Sequence, residues 1–92
     1  MAPVAIVYQA AELSHADACR LADWALRCAD RARTIVIDLN RAMDAETAAF
    51  ARLVLLRRAL LRRRCDLRIT GLRDRAAKLF EVNRLGGVLP RE

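Results

Sequence analysis

The sequence predicts an α/β domain in which a mainly parallel sheet of about four strands packs with three helices. Three observations carry that expectation. Short apolar runs near residues 4–8, 34–39 and 67–70 are separated by stretches of helical periodicity, so strands and helices alternate along the chain. The middle run, Thr34 to Leu39, is continuously apolar up to Asp38, as in a strand buried on both faces of a helix-covered sheet. Strands joined through helices run parallel with right-handed crossovers.

Val4-Ala5-Ile6-Val7-Tyr8 reads as the first strand. Ser14 then offers an N-cap, with Asp17 three residues on as its capping-box partner, for a helix running to about Asp30. Leu21, Ala25 and Cys28 share the inner face of that helix, widened by Ala18, Ala22 and Trp24, while Arg20, Asp23, Arg27 and Arg31 turn outward. After the central strand, Asp44 can cap a second helix reaching about Arg63, with Phe50, Leu53, Val54 and Leu61 inward and Arg52, Arg58 and Arg62 elsewhere. Leu67-Arg68-Ile69-Thr70 alternates as a strand with one wetter face, and Gly71 ends it. Leu72 to about Val82 forms the third helix, with Leu72, Ala76, Leu79 and Phe80 inward. Gly86 to Pro90 makes a turn and a short last strand, which Pro90 confines to an edge.

Ninety-two residues make one domain, spanning 1–92, with neither repeat nor linker. A 55% apolar content excludes a disordered chain, and with only 4% aromatics the core must be aliphatic. Neither a secretory signal nor an apolar run of about 20 residues is present, so membrane insertion is not expected. Cys19, Cys28 and Cys65 are an odd number of thiols among aliphatic neighbours, which suits reduced cysteines in a cytoplasmic protein. The net charge of +6 is uneven: residues 1–51 carry −2, residues 52–75 carry +7, and residues 76–92 carry +1.

Several segments in this order resemble the STAS domain of bacterial anti-sigma-factor antagonists. Ala11-Glu12-Leu13-Ser14-His15 is similar to that family's Gly-Glu-Leu-Asp-His entry to the first helix, and Ile35-Val36-Ile37-Asp38-Leu39 to its strand ending in Asp-Leu. Met43-Asp44-Ala45-Glu46-Thr47 falls where the family carries Met-Asp-Ser-Ser-Gly, and Leu79 to Leu85 resembles its closing Leu-Leu-Glu-Leu-Thr-Gly-Leu. The resemblance covers nearly the whole chain and lacks only the usual first strand. It implies a partner-binding surface at the start of the second helix, where an anti-sigma kinase phosphorylates the motif's second serine and releases the complex. Here Glu46 holds that position, Ala45 replaces the serine before it and Thr47 the glycine, so the phosphoacceptor is degenerate. Glu46 reads either as a partial mimic of a phosphate or as an ordinary helix-start acid, which the macrodipole favours. Thr47 reads as a displaced phosphoacceptor or as a local hydrogen-bonding residue.

Other constellations are weaker. His15 and Cys19 have the spacing of two metal ligands on a helix, but two more are wanting, so no metal is expected. One histidine and one serine adjacent in sequence make no triad, the three glycines fit turns better than a phosphate loop, and neither catalysis nor a cofactor is expected. Arg57, Arg58, Arg62, Arg63 and Arg64 suit an acidic protein partner, an anionic membrane surface or nucleic acid, or simply a solvated helix face. Nucleic acid is disfavoured, because no aromatics interleave with these arginines.

The expectation is thus a non-catalytic protein-interaction module that contacts its partner through Asp44, Ala45, Glu46, Thr47, Arg52 and Arg58. The partner implied by the resemblance is an anti-sigma kinase-like protein in a partner-switching transcriptional circuit. The alternatives are the ATPase subunit of a lipid-transport ABC system, to which small STAS proteins serve as accessory subunits, and a basic nucleic-acid-binding domain. The missing first strand also leaves room for a homodimer formed along an exposed sheet edge.

Overall fold

A computed structural model describes residues 5–91. Its strands are β1 (Ala5–Gln9), β2 (Thr34–Asp38) and β3 (Asp66–Thr70), and its helices are α1 (His15–Cys28), α2 (Thr47–Leu61) and α3 (Asp74–Val82). The sheet has the order β1-β2-β3 and is parallel throughout, with Ile6 opposite Ile35 and Ile35 opposite Leu67. Val4, expected to open β1, lies outside the described residues.

Alternation along each strand decides what the sheet buries. Ile35, Ile37, Leu67 and Ile69 are fully buried, together with Leu21 and Ala25 of α1 and Phe50, Leu53, Leu56 and Leu60 of α2. On the other sheet face Ala5, Val7 and Gln9 of β1 and Arg68 of β3 are exposed. β2 remains apolar and buried on both sides, Val36 included. Phe80 of α3 meets Phe50 edge-on with ring centroids 6.0 Å apart, which ties the third helix to the core.

Several element ends and one core residue differ from the sequence expectation. The fourth strand shrinks to a single parallel bridge between Ile69 and Arg91, because the chain first coils into a 3₁₀ turn at Leu85–Gly87. The N-cap of α2 is Glu46, two residues after Asp44, whose carboxylate instead accepts the Ala45 N–H at 2.9 Å. Leu61, assigned to the core, is 45% exposed, and Leu56 and Leu60 take its place inside. The α3 helix begins at Asp74 rather than Leu72, and α2 ends at Leu61 rather than Arg63.

The end of α2 is a Schellman motif. The Cys65 N–H donates to the Leu60 carbonyl at 3.0 Å and the Arg64 N–H to Leu61 at 3.1 Å, with Arg64 left-handed at φ 60°. Gly71 performs the corresponding turn after β3. Its φ is +75°, and a Cβ there would stand 2.8 Å from the Asn40 nitrogen and 2.9 Å from Asp38 Oδ1. Only glycine fits without displacing backbone.

Candidate functional site

The C-terminal ends of the strands lead into the α1 and α2 entry loops, and these loops are bonded to each other. The Glu46 N–H donates to the Leu13 carbonyl at 3.0 Å, and Leu13 and Ala45 form a parallel bridge. From the other side the Ala76 N–H of α3 donates to the Met43 carbonyl at 3.2 Å. Residues 43–46 are therefore held between the start of α1 and the start of α3.

A groove of about 410 Å³ runs along this junction, lined by residues 11–14 and by Arg41, Met43, Asp44, Ala45 and Glu46. A second depression of about 330 Å³ continues it past Asp44 and Ala45 to Arg75, Lys78, Leu79 and Val82. Met43 is 57% exposed and Val82 78%, so two apolar side chains stand open in a rim carrying Arg41, Arg75 and Lys78. Arg75 Nη1 lies 3.5 Å from Asp44 Oδ2, but both side chains are exposed, and a pair in water contributes little.

The Glu46 side chain caps a helix other than its own. Its Oε1 accepts the backbone N–H of His15, the first residue of α1, at 3.1 Å. A helix start leaves four backbone donors without intrahelical partners. In α1 three of the four are satisfied by side chains: Ser14 N–H by Asp17 Oδ2, His15 N–H by Glu46 Oε1, and Asp17 N–H by Ser14 Oγ. The capping box read from Ser14 and Asp17 is thus complete. The Ser14 hydroxyl and N–H, with the Arg20 guanidinium beside them, hold the Asp17 carboxyl below its ordinary range.

Asp44, Ala45, Glu46 and Thr47 gather at this groove or immediately beside it, but Arg52 and Arg58 do not. Arg52 is half-buried on α2, and Arg58 stands about 18 Å from Glu46 along the helix axis at 1.5 Å per residue. Arg58 belongs to an outward stripe of exposed residues, Ala48, Ala51, Leu55, Arg58 and Arg62, apolar near the groove and basic at the far end.

The predicted arginine cluster is divided. Arg57 binds Asp66 at 3.0 Å, and Arg63 binds Asp30 at 3.1 Å and the Leu26 carbonyl at 2.8 Å. Arg58, Arg62 and Arg64 are exposed and make no ion pair among the described residues. The Arg63 bonds, with the Asp66 N–H donating to the Arg33 carbonyl at 2.8 Å, bring Arg27, Arg31 and Arg33 to the same end of the molecule. Seven arginines (27, 31, 33, 57, 62, 63 and 64) against Asp30 and Asp66 leave +5 at the end of the molecule opposite the groove. Reading the charge by segment missed the share of residues 27–33, because only the fold joins them to α2.

His15 and Cys19 do approach, with Sγ 3.8 Å from Nε2, but among the described residues no group of three or more potential ligands gathers. No described helix is long and apolar enough to cross a membrane. Residues 2–90 match the family model of the STAS domain. No curated protein matches the sequence.

Proposed function

The chain belongs to the STAS domain family, and we propose that it acts as a non-catalytic cytoplasmic protein-interaction module, similar to an anti-sigma-factor antagonist but without its serine switch. The docking surface starts at Asp44–Thr47 with exposed Met43 and Val82 beside it, and continues down the outer stripe of α2. An apolar centre with a basic rim suits a folded protein partner that brings apolar side chains and carboxylates.

One observation carries the reading: the Glu46 carboxylate already occupies the N-terminal end of α1. That position favours negative charge. The residue standing where the family is phosphorylated therefore supplies a permanent anion to the same surface, so partner choice here does not depend on a kinase. Under this reading the wild-type chain stands in the form that releases a kinase-like partner, and Glu46→Ser restores the unmodified form.

The test is a pulldown with wild type and Glu46→Ser, resolved by mass spectrometry at two salt concentrations. A kinase-like protein retained by the mutant alone supports the antagonist reading. An ATPase subunit retained equally by both moves the assignment to an ABC-transport accessory subunit, a role the apolar stripe of Ala48, Ala51 and Leu55 serves without any switch. Retention of nucleic acid alone, lost steeply with salt, refutes both protein readings.

A further inference from the structure

The outer edge of β1 has no partner among the described residues, since the sheet begins with that strand. In a parallel ladder a residue turns its N–H and C=O to the same side. The Ala10 N–H donates to the Asp38 carbonyl at 3.0 Å, so Ile6, Tyr8 and Ala10 face β2. Ala5, Val7 and Gln9 then present their N–H and C=O groups to the open edge.

Edge strands usually carry a charge, a proline or a bulge that discourages pairing. This one carries none of these: Ala5–Gln9 is uncharged, regular and free of proline, and Val7 is 60% exposed. A charged partner strand would find nothing on the edge to complement it, whereas an uncharged strand meets no opposition. The strand is also complementary to itself. In an antiparallel pair centred on Val7, Val7 faces Val7 of the second copy and Ala5 faces Gln9 on either side. Every outward residue of both strands falls in a hydrogen-bonded pair, two bonds to a pair, and no outward donor or acceptor is left over. On the sheet face covered by α1, half-buried Ile6 and Tyr8 fall opposite each other across the same axis, and Tyr8 is already stiffened by its contact with Trp24 at 4.9 Å.

We infer that this edge pairs antiparallel with β1 of a second copy of the chain, joining two three-stranded sheets into one across a two-fold axis at Val7. The arrangement is closed, because the two-fold axis uses the same β1 edge of both copies, whereas pairing β1 with a different edge of the next copy would leave a β1 edge free to propagate. It is independent of the groove at Asp44–Thr47, which lies at the ends of the strands rather than along β1.

The test is the mass of the full chain by sedimentation velocity over a wide concentration range. Wild type should reach twice its 10.3 kDa. Val7→Lys and Val7→Asp alter a side chain that already faces water, and a wild-type circular dichroism spectrum with a cooperative melt checks that each folds. Each puts like charges directly opposite at the axis and should weaken the dimer at least tenfold, whereas an equimolar mixture of the two should restore a heterodimer. A wild type that stays monomeric, a Val7→Lys protein that still dimerises, an open ladder of larger species, or a mixture that fails to recover would each overturn the proposal.

Discussion

Replacing Glu46 tests the central claim about the site, because its carboxylate serves a helix that starts 31 residues earlier in the chain. Three substitutions separate the possible contributions. Glu46→Gln keeps an acceptor of the same reach but removes the charge from the positive end of α1. Glu46→Ser and Glu46→Ala shorten the side chain and leave the His15 N–H to water. The bond is 3.1 Å long and exposed, so the lower part of the range for charge-assisted bonds at a helix end applies, about 1 kcal/mol for losing both terms. Losing the charge alone should cost about half of that. For a domain of this size, about 1 kcal/mol lowers the melting temperature by roughly 4–8 °C. Thermal unfolding by circular dichroism should rank wild type above Gln and Gln above Ala, with Ser above Ala because its hydroxyl can cap α2, whose N-cap is residue 46. Screening in about 1 M salt should narrow the gap between wild type and Gln, since that gap is a charge–dipole effect. If the Gln and Ala variants both melt within about 1 °C of wild type, the carboxylate does not cap α1, and no built-in anion stands there.

Gly71→Ala should destabilise by about 2 kcal/mol, measured by urea unfolding, since a Cβ must be accommodated against Asn40 and Asp38 at a left-handed φ. Arg64→Gly should act in the opposite direction, stabilising by about 1 kcal/mol, because the Schellman turn holds a non-glycine residue at φ 60°. The Asp17 carboxyl sits lower in the folded chain than in the unfolded one, so its contribution is fully present above the ordinary aspartate range and fades as pH falls through the folded value. A pH series of melting temperatures should therefore show wild type losing stability toward acid more steeply than Asp17→Asn.

The features that were legible in the sequence depend on near neighbours. Strand alternation at residues 67–70, the inner face of α1 and the Ser14–Asp17 capping box all span only a few residues, so periodicity and spacing reveal them. The core face of α2 was read less well, for a reason visible in its composition. Leucines stand at 53, 55, 56, 60 and 61, so two overlapping stripes satisfy the helical period and the sequence cannot choose between them. Packing on β3 and α1 selects Leu53, Leu56 and Leu60 and leaves Leu55 and Leu61 in water. The last strand failed because Gly86 and Gly87 permit a tighter turn, and Pro90 contributes only its carbonyl, to the Ile69 N–H at 3.0 Å. The Glu46–His15 bond and the joining of residues 27–33 to the α2 arginines connect distant parts of the chain, and spacing carries no trace of either.

These long-range links also bear on how the surface works. A phosphorylated serine is an anion that comes and goes, and a fold that uses one must remain intact in both states. Under the proposed reading the acid at that position is Glu46, which is bonded into the start of α1 beside a capping box that satisfies two of the remaining donors. Removing the charge would loosen the helix entry as well as alter the surface, so the two effects are coupled at Glu46. A chain built this way has little to gain from reversible modification at that residue. Under the proposed reading its control passes to partner supply or to the basic pole, where exposed arginines from the ends of α1 and α2 face solvent far from the groove.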